Sequence, residues 1–218
     1  MDRVDGMADG QIAAFRKLPP ATIGHLTQSG FVSPTIRPLF PVGRIVAGRA
    51  ATLLLTAGDV FHTRKAISCL TPGDVLVIDQ RFEAAAACWG EMTALDAHGH
   101  GVAAVIIDGL CTDVVEVAAL GVPTFARGVS ALVGRPLRLE GGFGLPVQIG
   151  GVRVNPGDLL VADDNGIVVI DPSRVEEIRQ SAEAAEARAP KLRAWLRAGR
   201  SILEWAELTP ADIERLPT

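Results

Sequence analysis

The run Val102-Ala103-Ala104-Val105-Ile106-Ile107 constrains the chain more than any other stretch. It is apolar without alternation and lies between Gly101 and Asp108-Gly109, the signature of a buried strand. The segments on either side have helical patterns, so the unit is helix, strand, turn, helix, and the fold class it predicts is α/β. In open α/β sheets, ligands bind at the carboxyl ends of strands. Asp108 and Asp113 lie at or just beyond such an end, and Glu91, in Trp89-Gly90-Glu91-Met92-Thr93, is placed to face them from the other turn. Three carboxylates at one mouth suit a hard divalent cation such as Mg2+. The same two aspartates also suit caps of the turn and of the following helix.

A second pattern supports a sheet. Pro72-Gly73-Asp74-Val75-Leu76-Val77-Ile78-Asp79 recurs as Pro156-Gly157-Asp158-Leu159-Leu160-Val161-Ala162-Asp163. Pro followed by Gly fits the central positions of a type II turn, so each copy predicts a tight turn feeding a buried strand. Two copies do not make a solenoid.

Other elements fall between Pro and Gly breaks. Helices are expected over residues 8–17, 22–29, 60–69 and 114–120, with a further Ala-rich one over 83–97 that His98-Gly99-His100-Gly101 interrupts. Strands are expected over 45–55, 123–127, 146–154 and 159–170, the last two turning at Gly150-Gly151 and at Asp163-Asp164-Asn165-Gly166. From Pro172 the chain is helical, and Pro190 breaks or restarts that helix. Thr209-Pro210 reads as an N-cap and first helical residue within a terminal arm. No boundary appears, so the expectation is one domain over residues 1–218, with an N-terminal helix at about 8–17 and a C-terminal helical arm at about 173–218.

Composition narrows the function classes. With 218 residues and 48% hydrophobic content the chain builds one large domain or two small ones. A net charge of -4 without a basic block argues against nucleic acid held by bulk electrostatics. No apolar run approaches the roughly 20 residues of a membrane span. Cys69, Cys88 and Cys111 have no CxxC spacing and the N-terminus is acidic and polar, so reduced thiols in the cytoplasm are expected. Gly-x-Gly-x-x-Gly, Walker A and Gly-x-Ser-x-Gly patterns are absent, which leaves nucleotide binding and a serine nucleophile unsupported. His98-Gly99-His100 reads as a solvated turn, Cys111 as a small buried thiol, Arg127 as a strand-end cap, and Glu83, Glu116 and Glu140 as solvated.

Several motifs occur together in one order: Ile36-Arg37-Pro38-Leu39, Gly48-x-Ala50-x-Thr52, Pro72-Gly73-Asp74, Trp89-Gly90-Glu91, Val105-Ile106-Ile107-Asp108-Gly109 with Asp113, Gly121-Val122-Pro123 with Phe125-Ala126-Arg127-Gly128, and Gly150-Gly151-Val152 leading to Pro156-Gly157-Asp158. Over about residues 20 to 200 this order and spacing resemble the RraA-like family, which includes the 4-hydroxy-4-methyl-2-oxoglutarate aldolases. The resemblance implies a swivelling β/β/α domain assembled as homotrimers or homohexamers. It implies Mg2+ or Mn2+ as cofactor and cleavage of a small 2-oxo or hydroxy carboxylic acid with release of pyruvate, or decarboxylation of oxaloacetate. Other members, the regulators of ribonuclease E, lack the metal site and act by binding.

Carried over residue by residue, the resemblance makes Asp113 the metal ligand. It makes Gly90, Glu91, Met92 and Thr93 the loop whose amides hold the substrate carboxylate, which suits a helix N-terminus on physical grounds too. Glu91 would lie near the metal waters, and Asp108 in the Asp-Gly turn before Asp113. The departures are specific. Thr112 stands where the aldolases carry the Arg that stabilises the enolate, and losing such a donor costs roughly 3–4 kcal/mol in known sites. Ala189, beside Pro190, stands where they place a Glu near the neighbouring subunit's metal, with Glu186 or Glu183 as substitutes if the helix shifts. Gly24-His25 replaces a frequent Asp-Ala. The expected function is a divalent-metal-dependent lyase with altered catalytic groups, in which Thr112, Glu91 and Asp108 are the catalytic candidates and Thr112 also meets substrate. The alternatives are a different reaction on the same scaffold (another lyase, a hydrolase or an isomerase) and a non-catalytic binding or regulatory protein.

Overall fold

The computed structural model describes residues 7–82 and 85–216. Two short helices, α1 (Asp9–Phe15) and α2 (Pro20–Gly24), precede an extended, proline-marked passage that contains β1 (Arg37–Pro38). Strands and helices then alternate: β2 (Val46–Thr56), α3 (Thr63–Ser68), β3 (Val75–Arg81), α4 (Glu91–Gly99), β4 (Ala104–Cys111), α5 (Val114–Ala119) and β5 (Thr124–Val129). Each helix carries the chain back over the sheet, so β2, β3, β4 and β5 pair in parallel, as such crossovers require. The second half brings short antiparallel strands: β6 (Gly142–Phe143), β7 (Val147–Ile149), β8 (Val152–Val154), β9 (Leu159–Asp163) and β10 (Gly166–Ile170). A long helix, α6 (Val175–Arg197), and two short ones, α7 (Ile202–Ala206) and α8 (Pro210–Arg215), close it. The sheet order is β1-β5-β4-β3-β2-β9-β10, with β6 added to β2 and β7-β8 as a separate hairpin.

The central strands are apolar on both faces because both faces are covered. Leu76, Ile78, Val105 and Ile107 pack with α3, α4 and α5, while their neighbours Val75, Val77, Ala104 and Ile106 pack against Val147, Ile149 and Val154 of the β7-β8 hairpin. This is the two-residue alternation of a pleated strand. A third cluster joins Phe15, Ile23, Val175 and Ile178 of the terminal helices to Leu159, Val161, Val168 and Ile170.

The repeated Pro-Gly-Asp segment is one turn used twice. Asp74 N donates to Thr71 O and Asp158 N to Asn155 O, each at 3.1 Å, across Gly73 at φ 88° and Gly157 at φ 91°. In each copy the Asp carboxylate accepts from the backbone N–H three residues earlier, at 2.9 Å from Thr71 and 2.8 Å from Asn155. The two turns deliver β3 and β9 to opposite sides of β2, the first parallel to it and the second antiparallel.

Three local expectations are corrected. The Ala-rich segment is not a helix before Glu91: residues 85–90 are irregular, with bridges from Ala87 to Val133 and from Trp89 to Cys111. Glu83 and Ala84 lie outside the described residues. The helix then passes through His98 and Gly99, so these end α4 instead of forming a loop. Pro190 does not break α6, which runs through it to Arg197, with Pro190 on an exposed face where a lost ladder bond costs least. Thr209 caps α8 as expected, its side chain accepting from Asp212 N.

Candidate functional site

At the carboxyl end of β4 the chain turns sharply at Asp113, which adopts the left-handed conformation at φ 52° and ψ 45°. Short polar residues are the ones that tolerate this region. The turn lies against the start of α4. Cys88 N donates to Leu110 O at 3.0 Å, Thr112 N to Trp89 O at 2.8 Å, and Glu91 N to Asp113 Oδ2 at 3.1 Å. Two backbone segments are thus joined side by side, and the side chains of Asp113 and Thr112 close over Gly90. A Cβ on Gly90 would lie 2.6 Å from both Asp113 Oδ2 and Thr112 Cγ2.

A cavity of about 220 Å³ opens here. Thr93, Thr112 and Asp113 form its polar side, and Val60, Ala87, Trp89, Met92 and Val133 its apolar side. Asp113 is the charged residue of this lining. Thr112 Oγ1 donates to Asp113 Oδ1 at 3.3 Å, and Thr93 Oγ1 accepts from Gly90 N at 3.0 Å while donating to Gly90 O at 2.8 Å. The amides of Met92 and Thr93 belong to the first turn of α4, where a helix supplies no acceptor of its own. Among the described residues the Trp89 indole N–H is buried without a hydrogen-bond partner.

Gly90, Glu91, Met92, Thr93, Thr112 and Asp113 therefore come together. Asp108 does not join them. Its Oδ2 accepts from Gly150 N at 2.6 Å in the β7-β8 turn, and its other oxygen is ion-paired with Arg127, which also donates to Thr35 Oγ1. Strand alternation explains this, since Asp108 follows Ile106 on the hairpin side of the sheet. Arg127 is thus a clamp on Asp108 and Thr35. Glu91 meets Asp113 through its backbone amide. Among the described residues no three His, Cys, Asp or Glu side chains could share a metal ion, so the expected convergence of three carboxylates is replaced by one carboxylate, Asp113, on a polar ledge.

Cys111 lies beneath this ledge, fully buried, its Sγ donating to Thr112 O at 3.1 Å. Burial first, and the Asp113 charge second, push its thiol up to about 12, in keeping with a small buried thiol. Glu183 and Glu186, the two candidates for the C-terminal Glu that the resemblance implies, are engaged within their own chain: Glu183 with Arg179 at 2.6 Å and Glu186 with Thr22 of α2. A second cavity, about 250 Å³, lies far along the chain, where Asp158 and Asp171 serve the Asn155 turn and the Ser173 cap. Val60 and Val133, which wall the site, carried no signal in the sequence beyond being apolar.

Comparisons with known proteins show the family and the fold to which the chain is similar. The family model described as RraA-like, Aldolase/RraA, matches residues 21–169. A protein of Halalkalibacterium halodurans named "Putative 4-hydroxy-4-methyl-2-oxoglutarate aldolase" is 32% identical over 177 residues, covering 81% of this chain and 83% of that one. The solved structure of Streptomyces coelicolor RraAS2, described as an unusual member of the RNase ES inhibitor RraA protein family, is 28% identical with a TM-score of 0.75, covering 86% of this chain and 98% of that one. An uncharacterized protein from Pseudomonas syringae pv. tomato shares the fold at a TM-score of 0.79 and 23% identity, covering 91% of this chain and 93% of its own.

Proposed function

Because the chain belongs to the RraA-like family, we propose that it is a divalent-metal-dependent lyase of the aldolase or decarboxylase type acting on a small 2-oxo or hydroxy carboxylic acid. The observation that carries this reading is the position of Asp113: a carboxylate held at the lip of a cavity, beside the first turn of a helix. One carboxylate among hydroxyl and amide groups fits a hard, water-rich cation, because Mg2+ keeps several waters and takes few protein ligands. Asp113 would hold Mg2+ or Mn2+, and the ion when bound supplies Lewis acidity for a keto oxygen. The chain's own residues do the rest. The Met92 and Thr93 amides and the positive end of α4 orient the substrate carboxylate. Thr112 stands where a donor to the developing charge is needed, and offers a neutral hydroxyl. Val60, Trp89, Met92 and Val133 keep water from the non-reacting part of the substrate and suit a small alkyl group there.

We infer further that the chain works as one domain, in a homotrimer or homohexamer, in keeping with an oligomeric family. Val129, Leu132, Val133, Leu137 and Leu139 form an exposed apolar run beside the site that assembly would cover. In the C-terminal arm Trp195 and Trp205 pack edge-to-face at 5.8 Å on each other, while Leu196, Ile202 and Leu203 stay exposed. Light scattering at micromolar concentration tests this, and a monomer alone would refute it. Among the described residues no helix is long and apolar enough to cross a membrane.

The decisive assay is pyruvate formation from oxaloacetate and other 2-oxo acids, with and without Mg2+ or Mn2+ and with EDTA. Turnover that needs the ion supports the lyase. Absence of turnover together with Mn2+ binding that Asp113→Ala removes would favour another reaction on the same scaffold. Absence of both would favour a binding protein, the reading that Thr112 supports.

A further inference from the structure

We propose that Gln80 is the positioning residue of the site between Gly90 and Asp113, its one amide setting the register of the three backbone segments that build it. The inference rests on the reading of that site as the place where acid and metal meet.

Gln80 is the next-to-last residue of β3 and is 7% exposed. Its Nε2 donates to Ala57 O at 3.1 Å and to Ala86 O at 2.8 Å, and its Oε1 accepts from Leu110 N at 3.3 Å. Those three peptide groups belong to the turn after β2, to the segment leading into Gly90, and to the end of β4 leading into Asp113. A primary amide alone among neutral side chains offers two donors and an acceptor on one rigid plane, and burial requires that they be used.

Two features show the place is made for it. The pairing of β4 with β5 shifts register between Ile107 and Leu110, an irregularity that re-aims backbone groups, and the Leu110 N–H is turned to Gln80. Between these residues stands Gly109, where a Cβ would lie 2.2 Å from Gln80 Oε1 and 2.8 Å from Gln80 Cβ. The glycine leaves the volume that the glutamine fills.

From this anchor the two segments run together to the site through Cys88 with Leu110, Trp89 with Thr112, and Glu91 with Asp113. Gln80 holds the closed end of this ladder and the cavity lies at its open end. Gln80 itself does not line the cavity, so it acts through the ladder. A displacement of Ala86 relative to Leu110 is carried to Glu91 relative to Asp113, where a misplacement of about 1 Å costs on the order of 10²-fold in rate.

The test compares wild type with Gln80→Leu, which removes all three bonds at similar volume, and Gln80→Glu, which keeps the acceptor, loses both donors and regains one when it is protonated. Amide hydrogen exchange is measured on the metal-free protein, followed by Mn2+ titration and by separate kcat and KM values. In Gln80→Leu, exchange at Glu91 and Thr112 quickens by roughly tenfold, as loss of one hydrogen bond implies. Exchange at Val161 and Val168, in β9 and β10, stays as in wild type. Mn2+ affinity and kcat fall together. In Gln80→Glu, protection at Thr112 recovers as pH is lowered and the buried carboxyl gains its O–H. Unchanged exchange at Glu91 and Thr112 in a folded Gln80→Leu overturns the proposal, as does equal acceleration at all four positions, which marks a general stabiliser. If Gln80→Leu does not fold, Gln80→Glu decides, and wild-type exchange at every pH overturns it. Absence of turnover in wild type would instead remove the lyase reading and leave the exchange result standing.

Discussion

Asp113 caps the helix behind it and not the one it begins: its Oδ2 accepts from the Glu91 amide at 3.1 Å, while α5, for which Asp113 is the N-cap by position, receives no side-chain cap. The left-handed backbone at Asp113 makes this possible by turning the side chain across to α4. One carboxylate therefore closes the ladder and faces the cavity, and these two duties separate by mutation.

Asp113→Asn retains an acceptor for Glu91 and removes the charge. Its melting temperature should stay near that of wild type while Mn2+ binding, followed by calorimetry, is lost. Asp113→Ala should lose both, with the missing cap costing about 1 kcal/mol.

Thr112→Arg should raise Mg2+-dependent decarboxylation of oxaloacetate, because a fixed cation would stabilise developing negative charge beside Asp113. The cavity of about 220 Å³ gives the longer side chain room. Adding Asp113→Ala to this variant should abolish the gain. If Thr112→Arg folds, binds metal and gains nothing, the C-terminal helix at Ala189-Pro190, where the resemblance implies a Glu, becomes the better explanation.

Gly90→Ala should destabilise the fold by about 1–3 kcal/mol through overpacking, since φ is -165° and no conformational penalty applies. The new methyl would meet Asp113 Oδ2 and Thr112 Cγ2, each at 2.6 Å. Chemical denaturation reads the stability, and Mn2+ affinity should fall with it.

The native protein should react with a thiol reagent at pH 8 through Cys69 alone. Cys69 is exposed, whereas burial pushes Cys88 up to about 12, helped by nearby Cys111, and does the same to Cys111. Denaturation should release the remaining two. Fast labelling of Cys111 in native protein would show that the ledge opens.

Asp59 gives a pH signature. Burial raises its pKa, but backbone N–H groups of Phe61, Leu137, Leu139 and Arg138 outweigh that and bring it below the usual carboxylate value. A pKa depressed on folding contributes stability that is present above the unfolded value of about 3.9 and is lost as pH falls through the folded value. Asp59→Asn should remove this acid dependence, and Asp59→Ala should cost about 2 kcal/mol and loosen residues 135–141 to protease.

Much of this was legible in the chain. The apolar run before Asp108 predicts β4, the two Pro-Gly-Asp turns predict β3 and β9, and family motifs point to Asp113 and the loop from Gly90 to Thr93. The misreadings have different causes, and in the Ala-rich segment tertiary contacts override local preference. Ala86 and Ala87 favour helix by propensity, yet Ala86 O is taken by Gln80 and Ala87 N by Leu132 O, which leaves neither group for a helix. Asp108 is near Asp113 in sequence, but the pleat of β4 sends it to the other side, where Gly150 and Arg127 take it. Gln80 was invisible because nothing in a strand's pattern says which peptide groups a terminal glutamine will reach.

The ladder from Leu110 to Asp113 has a further consequence. Its rungs at Cys88 and Thr112 join peptide N–H to peptide C=O, so they do not depend on which side chains those positions carry. A frame of this kind holds whichever side chain position 112 carries. Substitutions at the rim can therefore change what the cavity offers a ligand while the backbone beneath keeps its register.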